Sequence, residues 1–195
     1  MRFQDKIKAT FVAALLFGGS LMATELVIDE AHSEVGFSVK HLMISNVKGK
    51  FSEFGGDIDF DLKTKKFNKF DGVVTVKSID TGIGKRDEHL RSADFFDEPK
   101  FPKITYKMQK YTAKGNAGVM DGVLTIRGIS KPVKLNVEIG GIIKDQKGES
   151  KVGFSLSGKI NRKDFGLNWN KVLEAGGVTV GDEIKLNIEL ETAVL

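Results

Sequence analysis

The chain contains no cysteine, so disulfides and a cysteine nucleophile are both excluded. It also lacks the short motifs of the common enzyme classes. There is no G-x-S-x-G elbow, no H-E-x-x-H, no phosphate-cradling glycine loop and no dinucleotide fingerprint. Only three histidines occur, His32, His41 and His89, and a metal site would need the fold to gather them. No basic cluster is interleaved with aromatics in the way that grips phosphates, which argues against a nucleic-acid partner. No apolar run reaches the roughly 20 residues needed to span a bilayer as a helix. Stability must come from a hydrophobic core, which a domain of this size can supply.

The first residues have the order of a secretory leader. Arg2, Lys6 and Lys8 precede a short apolar run over 9–17, and small Ala23 marks the cleavage position. Residues 1–23 are therefore expected to be a signal peptide, and 24–195 a single mature domain without a membrane span. The leader holds three basic residues and Asp5. Its loss leaves 27 Lys+Arg against 25 Asp+Glu, a net charge of +2 rather than +4.

The mature chain alternates apolar and polar residues almost throughout. Val35, Phe37, Val39 and His41 oppose Glu34, Ser38 and Lys40, and Val133, Leu135, Val137 and Ile139 oppose Lys134, Asn136 and Glu138. The same period recurs around Ile58, Val74, Ile104, Phe154 and Leu186. It predicts about ten half-buried antiparallel segments, some of them halves of one bent strand. Phe54-Gly55-Gly56, Asp71-Gly72, Lys114-Gly115-Asn116, Gly140-Gly141 and Gly181-Asp182 read as turns between them. The echo between DGVVTVKSI (71–79) and DGVLTIRGI (121–129) reads as shared Asp-Gly turn chemistry. The fold class that follows is all-β, an antiparallel barrel of about eight strands, since closure leaves no exposed edge.

One stretch breaks the pattern. KRDEHLRSADFFDEPKFP (85–102) places Arg86, His89 and Leu90 on one helical face, and Pro99 and Pro102 end it. A short helix with a Phe-rich arm is expected there, set against the barrel. Asp57, Asp59 and Asp61 read as a solvated strand face rather than a calcium loop. Fourteen Phe against one Trp and two Tyr give the interior its aromatic weight.

Several ordered pieces resemble the YceI-like family of periplasmic, polyisoprenoid-binding, lipocalin-like proteins. They include Val35-x-Phe37-x-Val39-Lys40-His41 and Arg86-Asp87-x-His89-Leu90-Arg91-Ser92-x-Asp94-Phe95-Phe96-Asp97. Gly122-x-Leu124-Thr125-Ile126-Arg127-Gly128, Arg162-x-Asp164-Phe165-Gly166 and Val180-Gly181-Asp182-Glu183 follow in the same order. The resemblance implies an extended barrel around an apolar tunnel, often in a homodimer, holding a quinone, a polyprenyl lipid or another long amphiphile. Phe37, Val39, Ile58, Phe60, Val74, Val76, Ile104, Met108, Leu124, Ile126, Leu135, Val137, Phe154 and Leu156 are then the expected tunnel lining. Leu90, Phe95 and Phe96 join them from the helical arm. His41, Arg86, His89 and Arg91 are candidates for a polar head group or for bracing the helix. No catalytic residue, metal or cofactor is assigned. The alternatives are an enzyme acting on a long-chain lipid through His41 or His89, and a structural or signalling module with a solid core.

Overall fold

The computed structural model describes residues 24–172 and 178–194; the leader expected at 1–23 lies outside the described residues. Eleven strands form one antiparallel sheet among them: β1 (Glu25–Ile28), β2 (Glu34–His41), β3 (Ser45–Phe51), β4 (Phe54–Asp61), β5 (Lys66–Thr75), β6 (Ile79–Asp80), β7 (Lys103–Lys114), β8 (Ala117–Ile126), β9 (Ile129–Lys144), β10 (Ser150–Asn161) and β11 (Val180–Val194). A two-turn helix, α1 (Gly84–Arg91), lies between β6 and β7.

Register reduces the eleven to eight. β1 and β2 are halves of one strand broken by a 3-10 turn at Glu30–His32, and β11 pairs with both, Leu26 opposite Val194 and Phe37 opposite Leu186. β3 and β4 return along them, with Gly49 opposite Phe37 and Ile58 opposite Leu26. β5 and β6 do the same against β4 and β3, with Val74 opposite Phe54 and Ile79 opposite Phe51. Each composite strand pairs with the next in sequence, and β11 meets β1 to close an up-and-down barrel.

The period-two pattern drives this closure. On β9, Val133, Leu135, Val137 and Ile139 are buried while Lys134, Asn136 and Glu138 face solvent. The aspartate face of β4 is solvated as expected: Lys69 Nζ lies 3.0 Å from Asp57, Asn68 donates to Asp59 at 3.1 Å, and Asp61 accepts from the Lys63 and Thr64 amides.

Several glycine pairs are not turns. Gly55-Gly56 opens β4, Asp71-Gly72 lies within β5, Gly140-Gly141 within β9 and Gly181-Asp182 within β11. At Gly56 and Gly181, though not at Gly55 or Gly141, glycine makes room for a neighbour. A Cβ on Gly56 would stand 2.2 Å from the Asp71 carbonyl oxygen, and one on Gly122 would stand 2.4 Å from the Tyr106 ring. The DGV echo thus falls mid-strand in β5 and β8 rather than at strand entry. Val76 departs from its expected strand too. β5 ends at Thr75, and the Val76 amide donates to the Pro102 carbonyl in a 3-10 turn.

Candidate functional site

The barrel interior divides into a solid floor and an open upper half. Phe60, Phe67, Phe154 and Tyr111 make the floor, the Phe60 ring lying 4.8 Å from Phe67 and 5.0 Å from Phe154. Phe60 has no solvent exposure, and Met120, Val137, Val152 and Leu156 pack around the cluster. The turns β4–β5, β7–β8 and β9–β10 lie at this end.

Above the floor lies a cavity of about 190 Å³. Its wall includes Phe37, Val39, Phe51, Ile58, Val74, Ile104, Leu124, Ile126 and Leu135, with Ile184, Leu186 and Ile188 from β11. On one side β3 is covered only by the two residues of β6, so the wall there is made by the 81–102 segment instead of a strand. Leu90, Phe95 and Phe96 fill that gap, Phe96 edge-on to Phe51 at 6.3 Å. On the β4–β5 side, backbone at Gly55, Gly56 and Gly72 forms part of the wall.

The structure therefore separates the residues expected along the tunnel. Phe37, Val39, Ile58, Val74, Leu90, Phe95, Phe96, Ile104, Leu124, Ile126 and Leu135 border the cavity. Phe60, Val137, Phe154 and Leu156 are packed into the core below it, Met108 packs against that core, and Val76 is buried in its turn. Strand phase places the strand residues among these inward, while Val76, Leu90, Phe95 and Phe96 lie outside the strands. Phase carries no information on depth, which decides between wall and floor.

Of the polar candidates, Arg86 and His89 bond within the helical segment, and none of the four is among the residues bordering the cavity. Arg86 donates through Nε to Thr81 Oγ1 and through Nη2 to the Thr81 carbonyl, both at 2.7 Å. Buried Asp87 accepts from the Thr81 amide and hydroxyl, at 2.9 and 2.5 Å. His89 Nε2 lies 2.9 Å from Asp94 Oδ2, and its ring stands edge-on to Phe95 and Trp169. Arg127 ties the arm down by donating to the Phe95 carbonyl at 2.7 Å. His41 ends β2, half-buried and outside the cavity wall, and Arg91 is half-buried at the end of α1.

Arg162 is the functional position that sequence reading passed over. It is 2% exposed and borders the cavity, and all five guanidinium N–H directions are used. Nε donates to the Gly181 carbonyl at 2.9 Å. Nη1 donates to the Leu167 and Trp169 carbonyls, and Nη2 to the Val180 carbonyl and Asp182 Oδ1. Burial lowers its pKa, and Asp182 opposes that shift. The Arg162–Gly166 motif was visible; the convergence of Arg162 on two separate stretches, 167–169 and 180–182, was not. Tyr106, also on the wall, donates to the Met120 and Val133 carbonyls, and burial pushes its pKa well above the phenol range.

One cluster of metal-ligand type exists among the described residues, Asp29, His32 and Glu191 at the floor end. Lys151 Nζ sits among these carboxylates, 2.7 Å from Glu191 and 3.4 Å from Asp29, and supplies the cation itself.

The architecture is that of a lipocalin-like β-barrel with an internal apolar chamber and a helical patch in its wall. Residues 26–192 match the YceI-like domain model, and the chain belongs to that family. A UPF0312 protein of Staphylococcus aureus is 36% identical over 172 residues, 88% of this chain and 98% of the relative. Among solved structures, the Campylobacter jejuni YCEI protein is 42% identical with a TM-score of 0.68, covering 85% of this chain and 95% of that one. Burkholderia cenocepacia BcnA shares the fold at 22% identity, with a TM-score of 0.73 over 84% of this chain and 98% of its own. So does a polyisoprenoid-binding domain from Saccharophagus degradans, at 14% identity and a TM-score of 0.61 over 87% and 98%.

Proposed function

We propose that this protein is a periplasmic carrier or store for an isoprenoid, such as a quinone or polyprenyl lipid, or for a similar long-chain amphiphile. The observation that carries the reading is the chamber itself: a closed barrel that is solid below and leaves about 190 Å³ lined almost wholly by hydrocarbon above. An engineered apolar cavity of about 150 Å³ admits benzene. This chamber accordingly seats a short length of prenyl chain, with the rest reaching out past α1. Each buried methylene contributes about 0.8 kcal/mol, partly offset by lost freedom.

The reading needs no reactive group. His89 is engaged with Asp94 and two aromatic rings, and His41 does not border the chamber, which supports binding over catalysis by either. The 81–102 segment serves as the gate. The leader 1–23 would direct export and leave the barrel in the periplasm, consistent with a domain that needs no disulfide. Among the described residues no helix is long and apolar enough to cross a membrane. The Saccharophagus neighbour described as polyisoprenoid-binding supports the ligand class by analogy of fold alone.

The test is native mass spectrometry with lipid extraction on protein purified from its own periplasm, followed by quinone and polyprenol uptake. A co-purifying apolar molecule, displaced by added polyprenol, is the expected result. Repeated absence of both a bound molecule and uptake would sink the proposal.

A further inference from the structure

The two ends of the barrel are finished in opposite ways. At the floor end the turns are polar, with Lys63 and Thr64, Gly115 and Asn116, and Gln146 and Lys147 at their tips. At the chamber end the β8–β9 turn is Arg127-Gly128, but several other tips are apolar. Ile44 in the β2–β3 hairpin is 82% exposed and Val172 in the neighbouring loop 83%, with Met43 and Ile83 also exposed. The remaining exposed large aliphatics among the described residues are Ile129, beside the β8–β9 turn, and Val27, Ile142 and Ile143, which lie within β1 and β9 toward the floor end.

These tips share one rim. The Leu42 amide donates to the Thr179 carbonyl at 2.9 Å, and the Thr179 amide to the Lys171 carbonyl at 3.0 Å, so the hairpin and the Val172–Val178 bridge adjoin. Asp80 pairs with Lys50, which directs the following residues to Ile83 along β3 toward the same hairpin. Val39 and Val180, just inside this rim, border the chamber.

The hairpin carries a second, independent observation. Leu42 and Met43 both have positive φ, 49° and 62°, and the Ile44 amide closes the turn onto the His41 carbonyl. Such turns favour Asn-Gly, because branched or long L side chains are strained there. Turn stability therefore does not explain apolar residues at these positions. Strain of this kind points to a role for what the turn displays. Four exposed lysines flank the rim, Lys40, Lys48, Lys85 and Lys171, and none is ion-paired with a carboxylate among the described residues; Asp80, Glu88 and Asp164 are exposed carboxylates nearby.

We propose that the chamber end docks on an anionic lipid bilayer, with Met43, Ile44, Ile83 and Val172 entering the headgroup boundary and the lysines held by surface charge. Apolar tips with flanking cations form the usual pairing for reversible interfacial binding. The proposal deepens the carrier reading, on which it rests for its purpose, by placing the α1 gate at the membrane from which a chain would load.

Flotation with vesicles of phosphatidylglycerol and phosphatidylcholine, against phosphatidylcholine alone, tests it. The wild type should float with the anionic vesicles and be released by salt. Ile44→Asp and Val172→Asp should each cut partitioning at least tenfold. Lys48→Glu with Lys171→Glu should remove the anionic preference, each charge counting for roughly fivefold. Thermal midpoint and polyprenol uptake from detergent micelles should stay unchanged in all of them. A wild type that stays soluble with both vesicles, or aspartate variants that float equally well, would overturn docking. So would a dimer split by Ile44→Asp with no vesicle binding, which assigns the tips to a second copy. Failure of micelle uptake with vesicle binding intact would instead refute the carrier reading and leave docking standing.

Discussion

Replacing Arg162 by lysine separates the work of its charge from the work of its fork. The guanidinium spans five acceptors on Leu167, Trp169, Val180, Gly181 and Asp182, and so ties the loop after β10 to the start of β11. An ammonium keeps the charge but offers three donors from one point. At least two acceptors therefore lose their partner in a site only 2% exposed. An unsatisfied buried group costs about 1–3 kcal/mol, so Arg162→Lys should destabilise by roughly 2–4 kcal/mol once partial rescue by water is allowed. At about 2–4 °C per kcal/mol for a domain of this size, the thermal midpoint falls by roughly 10 °C. The internal control is one residue away. Lys163 pairs with the same Asp182 at 2.8 Å, but both partners are well exposed, and Lys163→Ala should cost less than about 1 kcal/mol. Urea unfolding reads both. A midpoint for Arg162→Lys as close to wild type as that of Lys163→Ala would refute the argument that geometry, and not charge, is what Arg162 supplies.

Four further outcomes follow from the division of the interior and from two ionisable groups. Phe154→Ala should cost about 3–5 kcal/mol in urea unfolding, because its ring fills a packed floor; Phe37→Ala should cost about half that, since its ring already borders the chamber. In a series of prenyl quinones of rising tail length, affinity should rise until the chamber is full, and Phe154→Ala should move that plateau to longer tails. Tyr106 has its folded pKa raised by burial, so its contribution is fully present below the ordinary value of 10.0 and is lost as pH rises beyond it. Stability measured against pH should fall on that alkaline limb, and Tyr106→Phe should flatten it. Asp29 has its folded pKa lowered, chiefly by the His32 hydrogen bond. Its contribution is present above the ordinary value of 3.8 and fades as pH falls through the folded value, and Asp29→Asn should remove that acid-side dependence.

Much of the barrel was legible because one physical signal repeats across it. Alternation on β2, β9, β10 and β11 fixes which residues point inward, and the absence of turn-length helical periods elsewhere isolates α1. Depth was not legible. Phe37 and Phe154 have the same phase and the same chemistry, yet one borders the chamber and the other seals its floor. What separates them is position along the barrel axis and the convergence of Phe60, Phe67 and Tyr111 from other strands. Glycine misled for a related reason. Gly56 and Gly122 look like turn residues in one dimension, and only the cross-strand approach of Asp71 and Tyr106 shows why no side chain fits. Arg86 and His89 carried the strongest local pattern, but their partners Thr81 and Asp94 lie so near in sequence that bracing and ligand contact predict the same motif.

The same contrast in bonding locates where such a barrel can open. β10 and β11 are laddered from Lys151 opposite Ala193 to Asn161 opposite Glu183, and separating any such pair gives up many backbone bonds at once. The 81–102 segment is different. Arg86 and Asp87 on Thr81 and His89 on Asp94 brace it internally, while Arg127 on the Phe95 carbonyl and the Val76 amide on the Pro102 carbonyl tie it to the barrel. Each of these is worth about 0.5–1.5 kcal/mol net, somewhat more where a charge takes part. Moving the arm exposes Leu90, Phe95 and Phe96, a loss that an entering hydrocarbon chain restores by covering the same surface. On the carrier reading proposed above, opening at α1 is a route whose cost the ligand itself would offset, and it leaves the ladder, and with it the fold, intact.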